Sequence, residues 1–358
     1  MPEPWKATEK RKGAHIDIVL KKDVAYARGT GFDEIDFVHN ALPELNYDRI
    51  DTSLKLFKRR LSSPIIISGM TGGHARAERI NRELAKAAGE TGIGMGVGSQ
   101  RAMAENRELL KTYAVRDAAP DILLIGNVGM AQLFKYDAAK IADMVQKIGA
   151  DALAVHLNVL QELVQPEGDR NFEGVLKRIE KLCRELPVPV IVKETGAGIT
   201  RETAVALRMA GVGAIDVSGA GGTSWSAVEL YRAPDPYKAG FREWGTPTAV
   251  CVAEVAQAVD VPVIASGGIR SGLDIAKGIA LGAMAGSAAL PFLKAWESGG
   301  RRAVAAMIRG WSEQVRMAMM LTGSKNLDEL RLAQLLITGR TLQMLNQRNI
   351  DTKWLANR

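Results

Sequence analysis

Two kinds of hydrophobic pattern alternate along the chain from residue 64 onward. Short runs rich in β-branched residues are almost continuously apolar, as expected for strands whose two faces are both buried in a parallel sheet. Between these runs, apolar residues recur at helical spacing. The predicted strands are Ile65–Ser68, Ile93–Val97, Ile122–Ile125, Ala152–His156, Val188–Lys193, Ala214–Val217, Val261–Ala265 and Ala283–Ala288. Strands that alternate with helices in this way predict an α/β protein with a (β/α)8 TIM barrel, and an open doubly wound sheet is the alternative.

Helices are predicted between the strands, and two of them begin after residues that commonly cap helices. The predicted helices are Ala77–Thr91, Ala138–Ile148, Phe172–Glu185, Arg201–Ala210, Ala249–Ala258 and Leu273–Leu281. Thr200 and Ser271 are expected to accept hydrogen bonds from the first free amides of their helices. The pattern divides the chain into an N-terminal extension over residues 1–63, a barrel over residues 64–293 and a C-terminal helical extension over residues 294–358.

Composition and charge argue against several classes of protein. The 358 residues are only 5% aromatic, which argues against a reader of single-stranded nucleic acid, because such a protein needs stacking surfaces. The net charge of +7 comes from scattered basic residues, so it favours a small phosphorylated ligand over nucleic acid or an anionic membrane. Cys183 and Cys251 lack the spacing of a disulfide framework or a zinc site, and no apolar run is suited to a membrane span. We therefore expect a cytoplasmic protein without a membrane partner.

Polar and glycine-rich segments follow seven of the predicted strands. These segments are Ser68–Gly73, Gly98–Arg101, Gly126–Gly129, His156–Asn158, Lys193–Glu194, Ser218–Thr223 and Ser266–Gly272. In a barrel, the carboxyl ends of the strands meet at one face, where functional groups collect. Each segment alone is typical of a tight turn. Together they predict a ring of polar groups around a large, flat ligand with polar edges.

Two positions in this ring predict contacts with an anionic ligand. Gly267 and Gly268 follow the seventh strand and precede a helix, where backbone amides commonly hold a phosphate. Lys193 ends a buried strand, and a buried lysine rarely lacks a partner, so we expect it to face a ligand. A cation at the N1–O2 edge of a flavin would stabilise its reduced, anionic form. An ion pair with Glu194 is the alternative, although adjacent strand residues point to opposite faces.

A second polar cluster follows the fourth strand. His156 and Asn158 share a face if the strand continues, and Glu162 comes soon after them. Histidine and asparagine could hold phosphate oxygens, and one carboxylate with substrate oxygens and waters is a usual set of Mg²⁺ ligands. The alternative for His156 is a structural role in the core.

A cationic cluster of Arg11, Lys12 and His15 lies near the N-terminus. It is either a mobile charged tail or an arm that folds over a diphosphate, in its own subunit or in a neighbouring one. The sequence pattern is compatible with both interpretations.

Eight motifs of this sequence occur together in one known family. They are Arg11-Lys12-x-x-His15-Ile16, Gly69–Gly73, Gly98–Arg101, Gly126-Asn127, His156-Leu157-Asn158-x-x-Gln161-Glu162, Val192–Glu194, Gly219–Trp225 and Ser266–Arg270. This set resembles the type II isopentenyl-diphosphate isomerases, and the resemblance extends from Arg11 to about Leu293. Other FMN barrels share the glycine-rich loops but not the motifs that contain His15 and Gln161.

The resemblance implies an FMN cofactor across the barrel mouth, Mg²⁺, and isopentenyl or dimethylallyl diphosphate as the substrate. The implied flavin site consists of Ser68, Gly69, Met70, Thr71, Ser99, Asn127, Lys193, Ser218, Thr223, Gly267, Gly268, Arg270, Ala288 and Ala289. The implied substrate site consists of Arg11, Lys12, His15, Ser99, Arg101, His156, Asn158 and Gln161, with Glu162 as the metal ligand. The resemblance also implies reduction of the flavin by NADPH, a role in isoprenoid biosynthesis, and assembly as a homotetramer or homo-octamer.

Two positions depart from the pattern of the family. Ser287 stands where many relatives have glycine after the eighth strand, and Ser218 stands where several relatives have glycine. Because serine is small, we expect flavin binding to persist at both positions.

The implied reaction moves a double bond without net oxidation or reduction. An alkene is a weak base, so its protonation needs a strong acid held close to it. No cysteine and no pair of glutamates stands out at the strand ends, so the reduced flavin itself is the expected acid and base. Gln161 is too weak an acid to act alone and is expected to position the substrate or relay a proton, while Lys193 stabilises the flavin anion.

Three other functions are compatible with parts of the pattern. An FMN-dependent 2-hydroxy-acid oxidase or dehydrogenase uses the same barrel but needs a histidine base near the seventh strand, and the segment between strands six and seven contains none. An inosine-monophosphate dehydrogenase needs a nucleophilic cysteine, and Cys183 and Cys251 both lie in predicted helices. A phosphate-binding regulatory barrel would explain the glycines but not Lys193 together with Gln161 and Glu162.

Overall fold

Among residues 4–358, strands form one closed barrel and two small sheets outside it. The computed structural model describes these residues, with side chains from residue 11 onward. The strands are β1 (Ile35–Phe37), β2 (Leu54–Leu56), β3 (Arg59–Leu61), β4 (Ile65–Ile67), β5 (Gly94–Gly96), β6 (Leu124–Gly129), β7 (Ala152–His156), β8 (Val190–Lys193), β9 (Ala214–Asp216), β10 (Val263–Ser266), β11 (Ala285–Ala288) and β12 (Leu335–Ile337). Strands β4 to β11 are parallel and pair in chain order, and β11 closes the ring by pairing with β4. The predicted (β/α)8 TIM barrel is therefore confirmed.

Helices cover the outside of the barrel, form the beginning of the described N-terminal extension and make up most of the C-terminal extension. They are α1 (Pro4–Lys21), α2 (Ala75–Thr91), α3 (Arg101–Glu105), α4 (Ala138–Lys147), α5 (Val159–Val164), α6 (Val175–Glu185), α7 (Arg201–Met209), α8 (Trp225–Arg232), α9 (Thr248–Ala258), α10 (Gly272–Ala280), α11 (Leu290–Leu321), α12 (Leu327–Leu330), α13 (Gly339–Gln347) and α14 (Thr352–Asn357). Each helix predicted from the sequence is present, with ends shifted by a few residues. No helix in the described part of the chain combines the length and the apolar character that a membrane span requires.

Of the two helix caps predicted from the sequence, the structure contains one. Ser271 Oγ accepts a hydrogen bond from Asp274 N at 3.1 Å, and the Asp274 carboxylate accepts one from Ser271 N in return. This reciprocal pair satisfies two free amides at the start of α10. The side chain of Thr200 makes no capping hydrogen bond, so that prediction is wrong. Its hydroxyl donates to Glu202 instead, and the first amide of α7 donates to the carboxylate of Glu254.

Both faces of the barrel strands are buried, which explains why the strands have continuous apolar sequences. Strand β4 consists of three isoleucines, each with 2% or less of its surface exposed. Burying one such side chain stabilises the fold by roughly 1.5–3 kcal/mol. On the outer layer, α2 contributes Ile80, Leu84 and Ala88 at helical spacing, and all of them are fully buried.

The extensions at the two ends of the chain are joined by a small sheet. Strand β1 pairs antiparallel with β12, with Ile35 opposite Ile337, and β2 and β3 form a separate antiparallel pair. The C-terminal extension, predicted to be helical, therefore also contains a strand, which is too short to produce a periodic signal. Helix α11 begins at Leu290, within the range predicted for the barrel, and it bends at Gly299 and Gly300, whose backbone angles are not helical.

Candidate active site

A cavity of about 260 Å³ opens at the carboxyl ends of the barrel strands. Its walls are formed by the loops that follow the strands, together with helix α1. All residues predicted for the flavin, substrate and metal sites line it, namely Arg11, Lys12, His15, Ser68, Gly69, Met70, Thr71, Ser99, Arg101, Asn127, His156, Asn158, Gln161, Glu162, Lys193, Ser218, Thr223, Gly267, Gly268, Arg270, Ala288 and Ala289. Motifs that lie far apart along the chain thus converge on one cavity.

The cationic cluster near the N-terminus is held against the barrel of its own chain. The ammonium of Lys12 donates to Gly72 O at 2.7 Å, to Ser99 O at 2.9 Å and to Tyr113 Oη at 3.0 Å. The guanidinium of Arg11 donates to the side chain of Gln165 at 3.4 Å. Of the two interpretations of this cluster, the structure therefore has the arm that folds over the cavity.

The surroundings of Lys12 make its charge sensitive to a ligand. Burial of the ammonium, together with the positive charges of Arg11 and Arg101, lowers the pKa of Lys12 to about 7. Arg101 is partly neutralised by Glu105, whose carboxylate lies 2.8 Å from it. An anion bound beside these cations would raise the pKa of Lys12 and favour its protonated form.

Glu229 is a buried carboxylate that connects α1 with the predicted substrate site, and the sequence analysis did not identify it. Its Oε1 atom lies 3.0 Å from His15 Nε2 and accepts a hydrogen bond from Gln161 Nε2 at 2.9 Å. Its Oε2 atom accepts a hydrogen bond from Arg232 Nε at 2.7 Å. Burial alone would raise the pKa of Glu229, but its contacts with His15, Gln161 and Arg232 lower it to about 2. In the sequence, Glu229 and Arg232 are an i,i+3 pair on a helix, which is typical of a solvent-exposed face.

His156 ends β7 and is oriented by Asn127 on the neighbouring strand β6. Its Nδ1 atom lies 2.9 Å from Asn127 Oδ1, and Asn127 Nδ2 donates to Val97 O at 3.2 Å. Because Val97 takes the amide nitrogen, the amide oxygen faces the imidazole, and we assign the ring proton to Nδ1. Burial and the charges of Lys193 and Lys12 lower the pKa of His156 to about 3. The neutral ring leaves Nε2 without a proton, so Nε2 can donate to a phosphate only after it takes one up.

The predicted metal ligand, Glu162, lies on α5, directly after the end of β7. This strand ends at His156, so the condition for a strand face shared with Asn158 is not met, although both residues line the cavity. The Glu162 carboxylate accepts hydrogen bonds from Asn158 Nδ2 at 2.8 Å, Gln165 Nε2 at 3.0 Å and Asp169 N at 2.9 Å. In the described part of the chain, no group of three or more His, Cys, Asp or Glu residues could hold a metal ion. A single carboxylate fits Mg²⁺ where substrate oxygens and waters supply the other ligands.

Three polar side chains in the wall of the cavity have features that fit a flavin and its phosphate. The hydroxyl of Thr71 is buried and has no hydrogen-bond partner within residues 11–358. Lys193 Nζ donates to the backbone oxygen of Glu194 at 2.6 Å and not to its carboxylate, so the alternative ion pair is not formed. Arg270 donates to its neighbouring backbone oxygen, and burial lowers the pKa of its guanidinium. The side chain of Arg270 remains accessible to solvent, and an anion that binds beside its guanidinium would stabilise the charge.

The two serines that depart from the family pattern both line the cavity. Ser287 Oγ contacts Ser68 Oγ, and Ser218 N donates to Ser266 Oγ at 3.1 Å. Ser218 has a φ of 37°, a left-handed conformation that favours glycine, which explains why glycine is suited to this position.

The cavity also has an apolar side that the motifs did not predict. Ile16 on α1, Leu290 and Leu293 on α11, and Trp225 on α8 line it. The ring of Trp225 packs edge to face against His15, with ring centroids 5.3 Å apart. In the sequence, these apolar residues have the pattern of ordinary core positions, so no signal distinguishes them before the fold is known.

Comparisons of the sequence with known proteins agree on one family. A family model described as FMN-dependent dehydrogenase matches residues 127–336. An isopentenyl-diphosphate delta-isomerase from Methanothermobacter thermautotrophicus is 50% identical over 350 residues, which cover 97% of this chain and 99% of the relative. One from Halobacterium salinarum is 50% identical over 351 residues, with 95% and 97% covered. One from Thermococcus kodakarensis is 46% identical over 360 residues, with 97% and 96% covered.

Solved structures with a similar fold are much more distant in sequence. A flavocytochrome b2 variant has a TM-score of 0.68 at 19% identity, and the match covers 92% of this chain and 84% of the other. A mandelate oxidase has a TM-score of 0.62 at 20% identity, and the match covers 94% and 99%. At this level of identity the likeness concerns the fold alone, and it supports the barrel.

Proposed function

The chain belongs to the isopentenyl-diphosphate delta-isomerase family and to the FMN-dependent dehydrogenase family, and we propose that it interconverts isopentenyl and dimethylallyl diphosphate in isoprenoid biosynthesis. The proposed cofactors are reduced FMN and Mg²⁺, with NADPH as the reductant of the flavin. The proposed form of the enzyme is a cytoplasmic homotetramer or homo-octamer.

The observation that carries this proposal is the presence of two separate cationic regions in one cavity. Arg11, Lys12 and Arg101 lie together where α1 meets the loop after β5. Arg270 and the glycines before it follow β10, and two other strands separate β10 from β5 in the barrel. A flavin phosphate and a substrate diphosphate each need an anion site of their own, and this arrangement provides both.

The residues of the first region hold the diphosphate in this proposal. Arg11, Lys12 and Arg101 supply positive charge, and His156 and Asn158 supply further polar contacts. Glu162 would hold Mg²⁺ together with oxygens of the diphosphate and water. Because the diphosphate is remote from the reacting carbons, its binding energy can position the alkene.

The remaining residues prepare the site where the double bond moves. Bound reduced FMN would supply the acid and the base for this step, without net oxidation or reduction. Gln161 donates its N–H to Glu229, and its carbonyl oxygen accepts a long hydrogen bond from Asn158 Nδ2 at 3.4 Å. The second lone pair of this oxygen can position the substrate or relay a proton. Lys193 provides the positive charge that stabilises a flavin anion. The apolar side formed by Leu290, Leu293 and Trp225 keeps water away from the alkene.

An FMN-dependent 2-hydroxy-acid oxidase or dehydrogenase is the alternative function on the same barrel. Such an enzyme needs a histidine base near the seventh strand, and residues 217–262 contain no histidine. The apolar wall and the cationic arm also fit a hydrocarbon diphosphate better than they fit a small hydroxy acid.

The proposal is tested by comparing the two activities on one preparation of the protein. We expect a yellow protein that converts isopentenyl diphosphate with Mg²⁺ and NADPH under anaerobic conditions and that does not oxidise 2-hydroxy acids. Oxidation of a 2-hydroxy acid without isomerase activity would move the assignment to the alternative. A protein that binds no FMN after reconstitution would contradict both.

A further inference from the structure

A second cavity of about 20 Å³ lies inside the barrel, deeper than the one described above. Most of its lining is apolar, but the side chains of Ser68, Asn127, Lys193, Asp216 and Ser287 also line it. Lys193 therefore borders both cavities.

Asp216 is the carboxylate of this inner cavity, and the mechanism above gives it no role. Only 5% of its surface is exposed. It is the register partner of Lys193 on the neighbouring strand, so the two side chains point to the same side of the sheet. The hydroxyl of Ser266 donates to Asp216 and accepts a hydrogen bond from the backbone N–H of Ser218. Asp216 is thus connected to two residues of the predicted flavin site, to Lys193 by strand pairing and to Ser218 through Ser266.

The neighbouring acid, Glu194, faces away from this cavity. Its carboxylate accepts hydrogen bonds from the backbone amides of Thr195 and Gly196 at 2.6 and 2.5 Å, and it lines neither cavity. Asp216 is therefore the acid that shares the inner cavity with Lys193. Burial raises the pKa of Asp216, and the charge of Lys193 opposes this rise. A partly buried cation favours the charged form of a buried carboxylate beside it.

We propose that Asp216 is a positioning residue that partly compensates the positive charge of Lys193 beneath the flavin. The inference rests on the proposed function, because it requires FMN beside Lys193. An uncompensated lysine would stabilise the reduced flavin anion so strongly that the flavin became a poor base. The charge of Asp216 reduces that stabilisation and keeps the proton affinity of the flavin matched to the reaction.

The substitution Asp216→Asn tests this inference, because it removes the charge and keeps an oxygen that accepts from Ser266. We expect the variant to favour reduced over oxidised FMN about tenfold more than the unmodified protein does, which raises the two-electron midpoint potential by about 30 mV. A spectroscopic redox titration of the FMN-loaded protein measures this shift. Loss of a purely structural residue would lower stability without moving the potential in this direction.

Two further proteins make the test specific. In a Lys193→Met background, Asp216→Asn should leave the potential unchanged, because without the opposing charge of Lys193 burial keeps the Asp216 carboxyl protonated and uncharged. Glu254→Gln removes a buried carboxylate that pairs with Arg348 outside both cavities, and it should also leave the potential unchanged.

Several results would overturn the inference. The inference fails if Asp216→Asn changes the preference for reduced over oxidised FMN by less than about twofold. It also fails if Asp216→Asn shifts the midpoint potential equally with and without Lys193→Met. If Asp216→Asn does not fold, Ser266→Ala is the deciding variant. Loss of the Ser266 hydroxyl removes a hydrogen bond that lowers the pKa of Asp216, so Asp216 should carry less negative charge and the potential should shift in the same direction. If the unmodified protein binds FMN and isomerises isopentenyl diphosphate but the variants show no such shifts, the proposed function stands and only this inference fails. If the unmodified protein binds no FMN, the proposed function fails first.

Discussion

Lys12 and His156 both have pKa values below their ordinary range while no anion lies beside them. The pKa of Lys12 is about 7 and that of His156 about 3, because both groups are buried next to other cations. A bound diphosphate would raise both pKa values, so we expect its binding to take up protons. Substrate affinity should therefore fall as the pH rises through the pKa of Lys12 in the free enzyme.

This coupling predicts the pH dependence of the KM for isopentenyl diphosphate. Because substrate binding takes up one proton at Lys12, the KM should rise roughly five- to tenfold as the pH increases from about 7.5 to 8.5. The variant Lys12→Met should have a higher KM and should lose this dependence. Steady-state kinetics in the presence of saturating Mg²⁺ measure both effects. A KM that is independent of pH in the unmodified protein would contradict the assignment of Lys12.

The role of Glu162 predicts a specific change in the requirement for Mg²⁺. Glu162→Gln keeps the shape of the side chain but removes its charge, so it should raise the Mg²⁺ concentration for half-maximal activity by roughly 10- to 100-fold. Glu173→Gln is the matched control, because this acid is exposed on the loop that precedes α6. Titration of the activity with Mg²⁺ compares the two variants. Equal requirements would remove Glu162 from the metal site.

At the scale of single residues, the sequence predicted which residues line the cavity but not which side chains hold them in position. Residues such as Thr71 and Lys193 follow strand ends, and the closure of the barrel alone brings them to one face. Glu229 and Asp216 have partners that are distant in sequence, and only the folded chain shows that they are buried. From the sequence, His156 was expected to hold phosphate oxygens and Asn127 to contact the flavin. Only the structure shows that the two side chains contact each other and that Asn127 sets the tautomer of His156.

At the scale of elements, the loop after β4 has no room for a side chain at Gly69. A Cβ atom there would lie 2.1 Å from the backbone oxygen of Val97, so Gly69→Ala must displace the loop. We expect the affinity for FMN to fall by about 1–3 kcal/mol, or roughly 5- to 150-fold. Gly89→Ala on α2 is the matched control, because its Cβ makes only an ordinary contact at 3.4 Å with Ala119. Fluorescence titration with FMN measures both, and equal affinities would contradict a flavin at this loop.

The barrel strands could be predicted from the sequence, and the strands outside the barrel could not. The barrel strands have continuous apolar runs because both of their faces are buried, and this signal survives without knowledge of their neighbours. Strands β1 and β12 have three residues each and pair only because the two ends of the chain meet. The cap at Thr200 failed for a similar reason, since Glu254 on another helix supplies the acceptor.

At the scale of the whole molecule, the sheet of β1 and β12 joins the two extensions. Leu335 in β12 is fully buried, whereas the adjacent Leu336 is 50% exposed. Leu335→Ala should therefore lower the free energy of unfolding by about 2–5 kcal/mol, and Leu336→Ala should change it by about 0.5 kcal/mol or less. Urea denaturation followed by circular dichroism compares the variants. Similar effects of the two substitutions would show that this sheet does not contribute to global stability.

The central claim is that this chain isomerises a diphosphate with a reduced flavin that is not consumed. The most direct measurement is an anaerobic proton NMR assay of isopentenyl diphosphate with Mg²⁺ and protein whose FMN has been reduced once. We expect many turnovers to dimethylallyl diphosphate, after which the flavin still has the absorbance spectrum of its reduced form. Turnover that is equally fast with oxidised FMN, or that stops after one flavin equivalent, would contradict it.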